Sequence, residues 1–524
     1  MSESRIAIRA SDKPFVAPAI AAGSLGFSLR QVISFPALMA VLLVGVALVG
    51  AQLRLLDPDT WWHVTVGEQI LKTHTWPVSD TYSFTARGAG WIAYEWLGGV
   101  FMALAARAGG LVGLALLQKA LVTSLALLLY LFAYLRSGNA KAACVASLVV
   151  LLVAPVAFTL RPQLIGYIFL VLTMICLERF RQGHSRALCF LPPLFMVWAN
   201  THGTFMFGLM VIGLCWITGL VSFRAGGLVG EGLTKQQRVH LSLTFLLCLL
   251  ALLVTPYGSQ IAANPIEMAT AQPFNIANIQ EWQPISVRDW LGKFMLVFAA
   301  ALFLAQVVLR LSWRVEEMAM FLFASYLTCA HLRFAMLFAI FLVPIVAGIL
   351  ARWVPPYDAA KDRYLLNLAL IALVIFGLVK FRPTQHSLET MVASTYPTGA
   401  VEYLRMHPEP TGMFNEYGWG GYLISQLGHE HQVFIDGRAD LFEHTGVFPD
   451  YMVIASAQPG AMRLLAKHDI HSCLVERKGP IEMLLAASPD WKQVYSDNLS
   501  VIFVRAVCAR QASLIPSVGV ESGK

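Results

Sequence analysis

Long apolar runs alternate with short polar breaks through the first three quarters of the chain. Between Val32 and Lys380 the runs recur at about the 20-residue length that crosses a bilayer as a helix. The expected spans are 32–52, 142–160, 164–177, 187–199, 205–223, 240–254, 291–308, 318–330, a span running from the His331-Leu-Arg333 hinge to about 351, and 364–379. One or two more lie in the apolar stretch from Trp91 through Leu135. Two large polar segments, 55–91 and 257–290, interrupt the series, with a short helix expected around 61–71. No such run follows Arg382, and the pattern there changes to short apolar clusters. Segments 433–435 and 473–475 read as buried strands, 462–467 and 482–487 as helix faces, and 494–495 with 501–504 as a hairpin turning at Asp497-Asn498. Strand–helix–strand order predicts an α/β unit. The fold class is therefore a polytopic α-helical membrane protein, with about 11–12 membrane helices, and a C-terminal soluble α/β domain at 383–524.

Composition supports this division. Of 524 residues 57% are hydrophobic and 13% are charged, against roughly 25% charged in soluble domains. The net charge of +7 reads as membrane topology and not as a nucleic-acid footprint, because the basic residues sit in short loops. Loops 179–186, 224–238, 310–314 and 352–363 then fall inside, with residues 1–31 as a cytoplasmic tail. Loops 200–203, 257–290 and 331–333, and the domain from 383, fall outside. The front half does not close: inside at 30 and inside at 179 requires an even number of crossings, yet two spans within 91–135 would make five. The first apolar run follows Arg5, Arg9, Lys13 and Arg30 like a signal peptide, but its length and the polar segment after it predict an uncleaved span. The eight cysteines form no CxxC pair and read as small core residues.

The candidate chemistry collects on the predicted outer side. Directly after the first span comes Asp57-Pro-Asp-Thr-Trp-Trp-His63. Pro58 disfavours a helical Asp57, and residues two apart on an extended segment share a face, so Asp57 and Asp59 are expected to aim at one point: a metal, a sugar hydroxyl or a proton. Two carboxylates so placed repel unless a cation or an arginine lies between them. Glu95, Arg161 with Gln163, Asn200 with His202, Glu281, and His331 with Arg333 reach the same side. Carboxylates suit acid–base work or a metal, and arginines grip phosphate bidentately. A transporter would place such groups near the midplane and show repeats; none is evident. A lipid-glycan polymerase or ligase is similar in composition and also handles polyprenyl diphosphate.

The stretch 57–63, together with Tyr94-Glu-Trp-Leu97, Trp198-Ala-Asn-Thr-His-Gly203, Gln280-Glu-Trp-Gln-Pro284 and Phe434-Ile-Asp-Gly-Arg-Ala-Asp440, resembles the GT-C superfamily of membrane glycosyltransferases that use polyprenyl-phosphate-linked sugars. In that class an acidic motif stands in the first outer loop, where this chain has Asp57-Pro-Asp59. The resemblance implies an inverting transfer, with a carboxylate as base toward a glycan, lipid or protein acceptor. By position that base is Asp57 or Asp59, with Asp57 preferred because it lies nearer the exit of the first span, and Glu95 and Glu281 in reserve. It leaves a divalent cation, Mg2+ or Mn2+, open at the aspartate pair. Arg161, His331 and Arg333 are expected on the donor phosphate, and Trp61, His63, Asn200 and His202 on substrate. The expected setting is the inner membrane of a bacterium, with the C-terminal domain on the periplasmic side. Asn415-Glu-Tyr-Gly-Trp-Gly-Gly-Tyr422 is similar to the aromatic–Asp–Tyr–Gly motif of oligosaccharyltransferases, but carries Glu416 at the Asp position.

Overall fold

The computed structural model describes residues 29–52, 57–153, 158–309, 311–407, 412–428 and 431–506. Most of the expected N-terminal tail, Arg310 of the 310–314 loop and the last residues of the C-terminal domain lie outside the described residues.

Apolar helices appear where the runs predict them, among them Phe35–Gln52, Ala140–Val153, Pro162–Arg181, Phe205–Thr218, Trp290–Leu309, Val315–Ala330 and Tyr364–Lys380. Among the described residues four are long and apolar enough to cross a membrane unaided: Trp96–Ser137, Pro162–Arg181, Trp290–Leu309 and Leu332–Leu350. A fifth arises if Tyr364–Lys380 and Gln385–Thr395, bent by 58°, are one span. Shorter apolar helices pack among them. Ala335–Leu350 is buried along its length from Ala335 to Ala347, as a helix apolar on all sides should be when it sits at the centre of a bundle. Helices Lys235–Ala251, Trp290–Leu309 and Tyr364–Lys380 expose Leu246, Leu250, Phe303, Val307, Leu365 and Phe376, apolar surface suited to lipid.

The stretch that defied the crossing count is one helix broken in the middle. Gly109 and Gly110 leave helical geometry, Gly110 with φ +55°, a conformation glycine adopts without strain. Residues 96–108 lie against Pro58–Thr73 at the Asp57 end, where Arg107 pairs with Glu68 at 2.8 Å. A Cβ on Gly67 would run into the Gly99 carbonyl, so this contact needs glycine. Residues 111–137 then traverse the bundle: Gln118 donates to the Ala51 and Phe158 carbonyls near one end, while Arg136 meets Glu317 at 2.7 Å at the other. One traverse in this stretch makes four between residues 35 and 181, and the count closes.

The end opposite Asp57 is tied by ion pairs of Arg181 with Glu316 (2.6 Å) and Arg314 with Glu178 (2.7 Å). It also carries a three-stranded sheet of Phe223–Ala225, Leu228–Gly230 and Trp313–Arg314.

The C-terminal region sits over the Asp57 end. Its four-stranded sheet orders Met413–Asn415, Ser472–Glu476, Ser500–Arg505 and Trp491–Ser496. The first pair is parallel and the other two antiparallel. The hairpin turns where expected, with Asp497 Oδ1 accepting from the Leu499 and Ser500 amides at 2.8 and 2.7 Å. Helices Ala461–Lys467 and Pro480–Ala486 match the two predicted faces. Two expectations need correction. Segment 433–435 is fully buried but forms only single bridges, Val433 to Ser83 and to Met413. Val433 lies between the Met413 strand and the chain at 82–84, donating to the Tyr82 carbonyl and accepting from the Phe84 amide. The Phe434 amide and Ile435 carbonyl are taken by the Asn415 side chain instead of a strand ladder. Cys189 and Cys329 are exposed and not core residues.

Candidate active site

Asp57 and Asp59 do converge, though by a helix start and not by an extended run. Asp57 is the N-cap of Pro58–Thr73, with φ −102° and ψ 134°, and its side chain accepts from the Asp59 amide at 3.0 Å. Pro58 occupies the first helical position, where its missing N–H is no loss. Asp59 is thus one residue into the helix, with both carboxylates on the same side.

The group between them is Arg161, the residue before the Pro162–Arg181 helix. Its Nε lies 2.8 Å from Asp57, its Nη2 3.0 Å from Asp59 and its Nη1 2.6 Å from Glu281. One planar fork thus gathers three carboxylates from two separate elements, the start of the Pro58–Thr73 helix and the turn at Gln280–Trp282. Asp57 is buried behind it, whereas Asp59, Arg161 and Glu281 face an open cavity of about 790 Å³, solvent at its mouth included. The Asp59 carboxylate also accepts from the Trp62 indole at 3.2 Å. Burial pushes Asp59 up to about 6, against the pull of Arg161. Burial also opposes ionisation of Glu281, but Arg161 and Arg333 prevail and hold it below the ordinary value.

A second carboxylate centre lies deeper. Glu95 bridges His63 at 3.1 Å and His202 at 3.2 Å, joining the Asp57 helix, the broken helix and the turn at 200–204. His202 Nδ1 accepts from the Thr204 amide at 3.0 Å, which places its proton on Nε2, toward Glu95. Burial drives His202 down to about 4, so it is a neutral donor near pH 7. Burial raises Glu95, but His202, His63 and Arg161 outweigh it and hold it below its ordinary value.

Arg333 stands across the cavity, in the turn that leads into the central helix. Its guanidinium lies over the Trp282 ring, 4.1 Å from the centroid. His331 Nδ1 donates to the Trp282 carbonyl at 2.7 Å, fixing that platform. Among the described residues Arg333 makes no ion pair.

Two expected substrate contacts are elsewhere. Trp61 is buried edge-on to Tyr396 and Tyr422, with centroids 5.4 and 5.0 Å away; Trp62 is on the cavity wall instead. The helix period separates the neighbours, turning one indole to the core and one to the cavity. Asn200 is also buried. Its amide donates to the Met196 and Val254 carbonyls and its oxygen accepts from the Trp96 indole, so it braces the turn that carries His202. Gln163 donates to Tyr167 at 2.7 Å beside the cavity.

The fit of a divalent cation at Asp57 and Asp59 can be tested on their oxygens. Both inward oxygens are turned onto Arg161, and among the described residues no group of three or more His, Cys, Asp or Glu side chains is arranged to hold a metal ion. A hard ion can be held by one or two carboxylates with water and phosphate oxygens, but the guanidinium of Arg161 fills the space between Asp57 and Asp59, so the pair as arranged does not fit one.

The sequence singles out Phe434–Asp440, but no residue of it is expected in the site; Gly437-Arg-Ala-Asp440 forms part of the cavity wall. A Cβ on Gly437 would collide with the Asp59 carboxylate, so the loop approaches because it has none. Arg438 is buried, held by Asp80 at 2.7 Å and Asp436 at 2.6 Å, with Trp91 and Tyr82 packed against the guanidinium. Asp440, pushed up to about 6 by burial, and Tyr417 complete the wall. Two carboxylates and an arginine within five residues were the available signal.

No family model matches the chain, and no curated protein sequence matches it. Solved structures do. The Archaeoglobus fulgidus oligosaccharyltransferase tethered with an acceptor peptide aligns with a TM-score of 0.50 at 11% identity, over 91% of this chain and 75% of that one. The same organism's AglB, in complex with an inhibitory peptide and a dolichol-phosphate, gives 0.50 at 12% identity, over 88% and 71%. ArnT from Cupriavidus metallidurans bound to undecaprenyl phosphate gives 0.47 at 15% identity, over 91% and 98%. The chain shares its fold with these oligosaccharyltransferase structures.

Proposed function

We propose that the protein is an inverting membrane glycosyltransferase, moving a sugar from a polyprenyl-phosphate-linked donor to a glycan, lipid or protein acceptor. The observation that carries this reading is the cavity at one end of the apolar bundle, with Asp59 on one wall and, across from it, Arg333, which makes no ion pair among the described residues. The fold likeness agrees with it. The basic loops at the far end favour a cytoplasmic position there, so the site faces the outer side, the periplasm in a bacterial inner membrane.

In this reading Asp59 is the base. Asp57 also reaches Arg161 but is buried behind the wall and caps a helix; it positions Arg161 and Asp59. The acceptor hydroxyl gives its proton to Asp59 as its oxygen bonds to the anomeric carbon. The bond from that carbon to the phosphate oxygen breaks, and the electron pair leaves with the polyprenyl phosphate. Arg333, on the platform fixed by His331, meets the negative charge gained by that phosphate. Arg161 holds Asp59 and Glu281 in place, and the Glu95 pair with His63 and His202 stiffens the floor. A base whose affinity for protons lies near the working pH serves best, which suits Asp59. The aromatic wall of Trp62, Trp91 and Tyr417 suits a sugar ring.

A transporter reading is disfavoured by the placement of these groups at one end. The test is release of polyprenyl phosphate from candidate lipid-linked sugars by the purified protein, with sugar transfer scored in parallel. Absence of release with every donor, from protein shown to be folded, would argue against the reading.

A further inference from the structure

Among the described residues three arginines line the cavity, Arg161, Arg333 and Arg438, the last with its side chain buried in the wall. Two are already neutralised. Arg161 is gripped by Asp57, Asp59 and Glu281, and Arg438 by Asp80 and Asp436. Among the described residues lining the cavity, Arg333 is the one arginine with no ion pair and so is left for a ligand anion, and its stacking on Trp282 fixes the plane of its fork. The same wall presents four carboxylates, Asp59, Glu95, Glu281 and Asp440; Asp59 and Glu281 share the single guanidinium of Arg161 with Asp57, which leaves that cluster net negative. The cavity therefore has one cation to offer and is otherwise acidic.

A sugar phosphodiester of a lipid carries one negative charge, and the corresponding diphosphate carries two. We infer that the site takes a lipid monophosphate donor and rejects diphosphate-linked sugars, an inference that rests on the transferase reading above. One phosphate matches one bidentate arginine. A second would find no free guanidinium and would face carboxylates, and unpaired charge is an effective means of rejection. The leaving group fits the same count. When the bond to the anomeric carbon breaks, the phosphodiester monoanion becomes a monoester dianion, and the added charge appears beside Arg333.

The test is equilibrium binding by the purified full-length protein in micelles, without added metal. The probes are farnesyl phosphate and farnesyl diphosphate, which differ by one phosphate, with inorganic phosphate as the non-lipid control. Farnesyl phosphate is expected to bind about tenfold or more tightly than farnesyl diphosphate, a margin of about 1.4 kcal/mol. Arg333→Ala is expected to weaken farnesyl phosphate by about 10- to 100-fold, the range for a lost hydrogen bond to a charged group. Arg333→Lys should keep the preference with weaker binding, which covers the case of a misfolded alanine variant. Glu281→Gln removes one opposing charge and should narrow the gap. Equal or tighter binding of the diphosphate would overturn this inference and leave the transferase reading standing. Inorganic phosphate binding as tightly as farnesyl phosphate would overturn it as well. Binding of neither lipid would sink the transferase reading itself.

Discussion

Arg161 and Glu281 lie 120 positions apart in sequence and 2.6 Å apart in space. The pair ties the long polar segment before Trp290 to the start of an apolar helix. With Asp57 and Asp59 on the remaining N–H groups, Arg161 becomes the internal counter-ion of the site.

Removing that counter-ion should be severe. Arg161→Gln leaves three carboxylates facing one another at a largely buried position, and breaking a buried pair costs on the order of 3–5 kcal/mol. A clear drop in the thermal unfolding midpoint is expected, partly recovered in acid as the carboxylates take up protons. A midpoint equal to that of the unchanged protein at neutral pH would show that the cluster contributes little.

Arg438 should matter to assembly more than to chemistry. It is the cation shared by Asp80 of the 55–91 segment and Asp436 of the C-terminal region. Arg438→Met keeps bulk but abandons both carboxylates, again at about 3–5 kcal/mol. Limited proteolysis should then cut within residues 75–91 faster than before. An unchanged cleavage pattern would contradict the role of this pair as the tie between the two.

The rate should titrate with Asp59. A base works only when ionised, and burial raises this carboxyl to about 6. Turnover is therefore full above that value and is lost as pH falls through about 6. The check is the pH profile of kcat/KM, which reports the ionisation of the free enzyme. A profile flat between pH 5 and 8 would remove Asp59 from the role of base.

Much of this was legible in the sequence because bilayer-length apolar runs and charge at helix ends are local signals. The helices fall where the runs predicted, and Asp59, Glu95, Arg161, His202, Glu281 and Arg333 meet at one cavity. What was not legible depended on tertiary placement. The break at Gly109-Gly110 sits inside an apolar run, where hydropathy is blind to direction. Trp61 and Trp62 are chemically alike, and only the helix phase separates core from wall. Asp440 and Tyr417 lie more than 300 residues from Asp59, and nothing local announces that their loop closes over it.

The base can be tested alone. Asp59→Asn is near-isosteric and keeps an acceptor for the Trp62 indole, so folding and lipid-phosphate binding should persist. Sugar transfer and polyprenyl phosphate release are measured beside Asp57→Asn and the unchanged protein. Base catalysis typically contributes 10²–10⁴-fold, and a loss of about that size is expected for Asp59→Asn with donor binding retained. Near-normal turnover in Asp59→Asn would contradict the account.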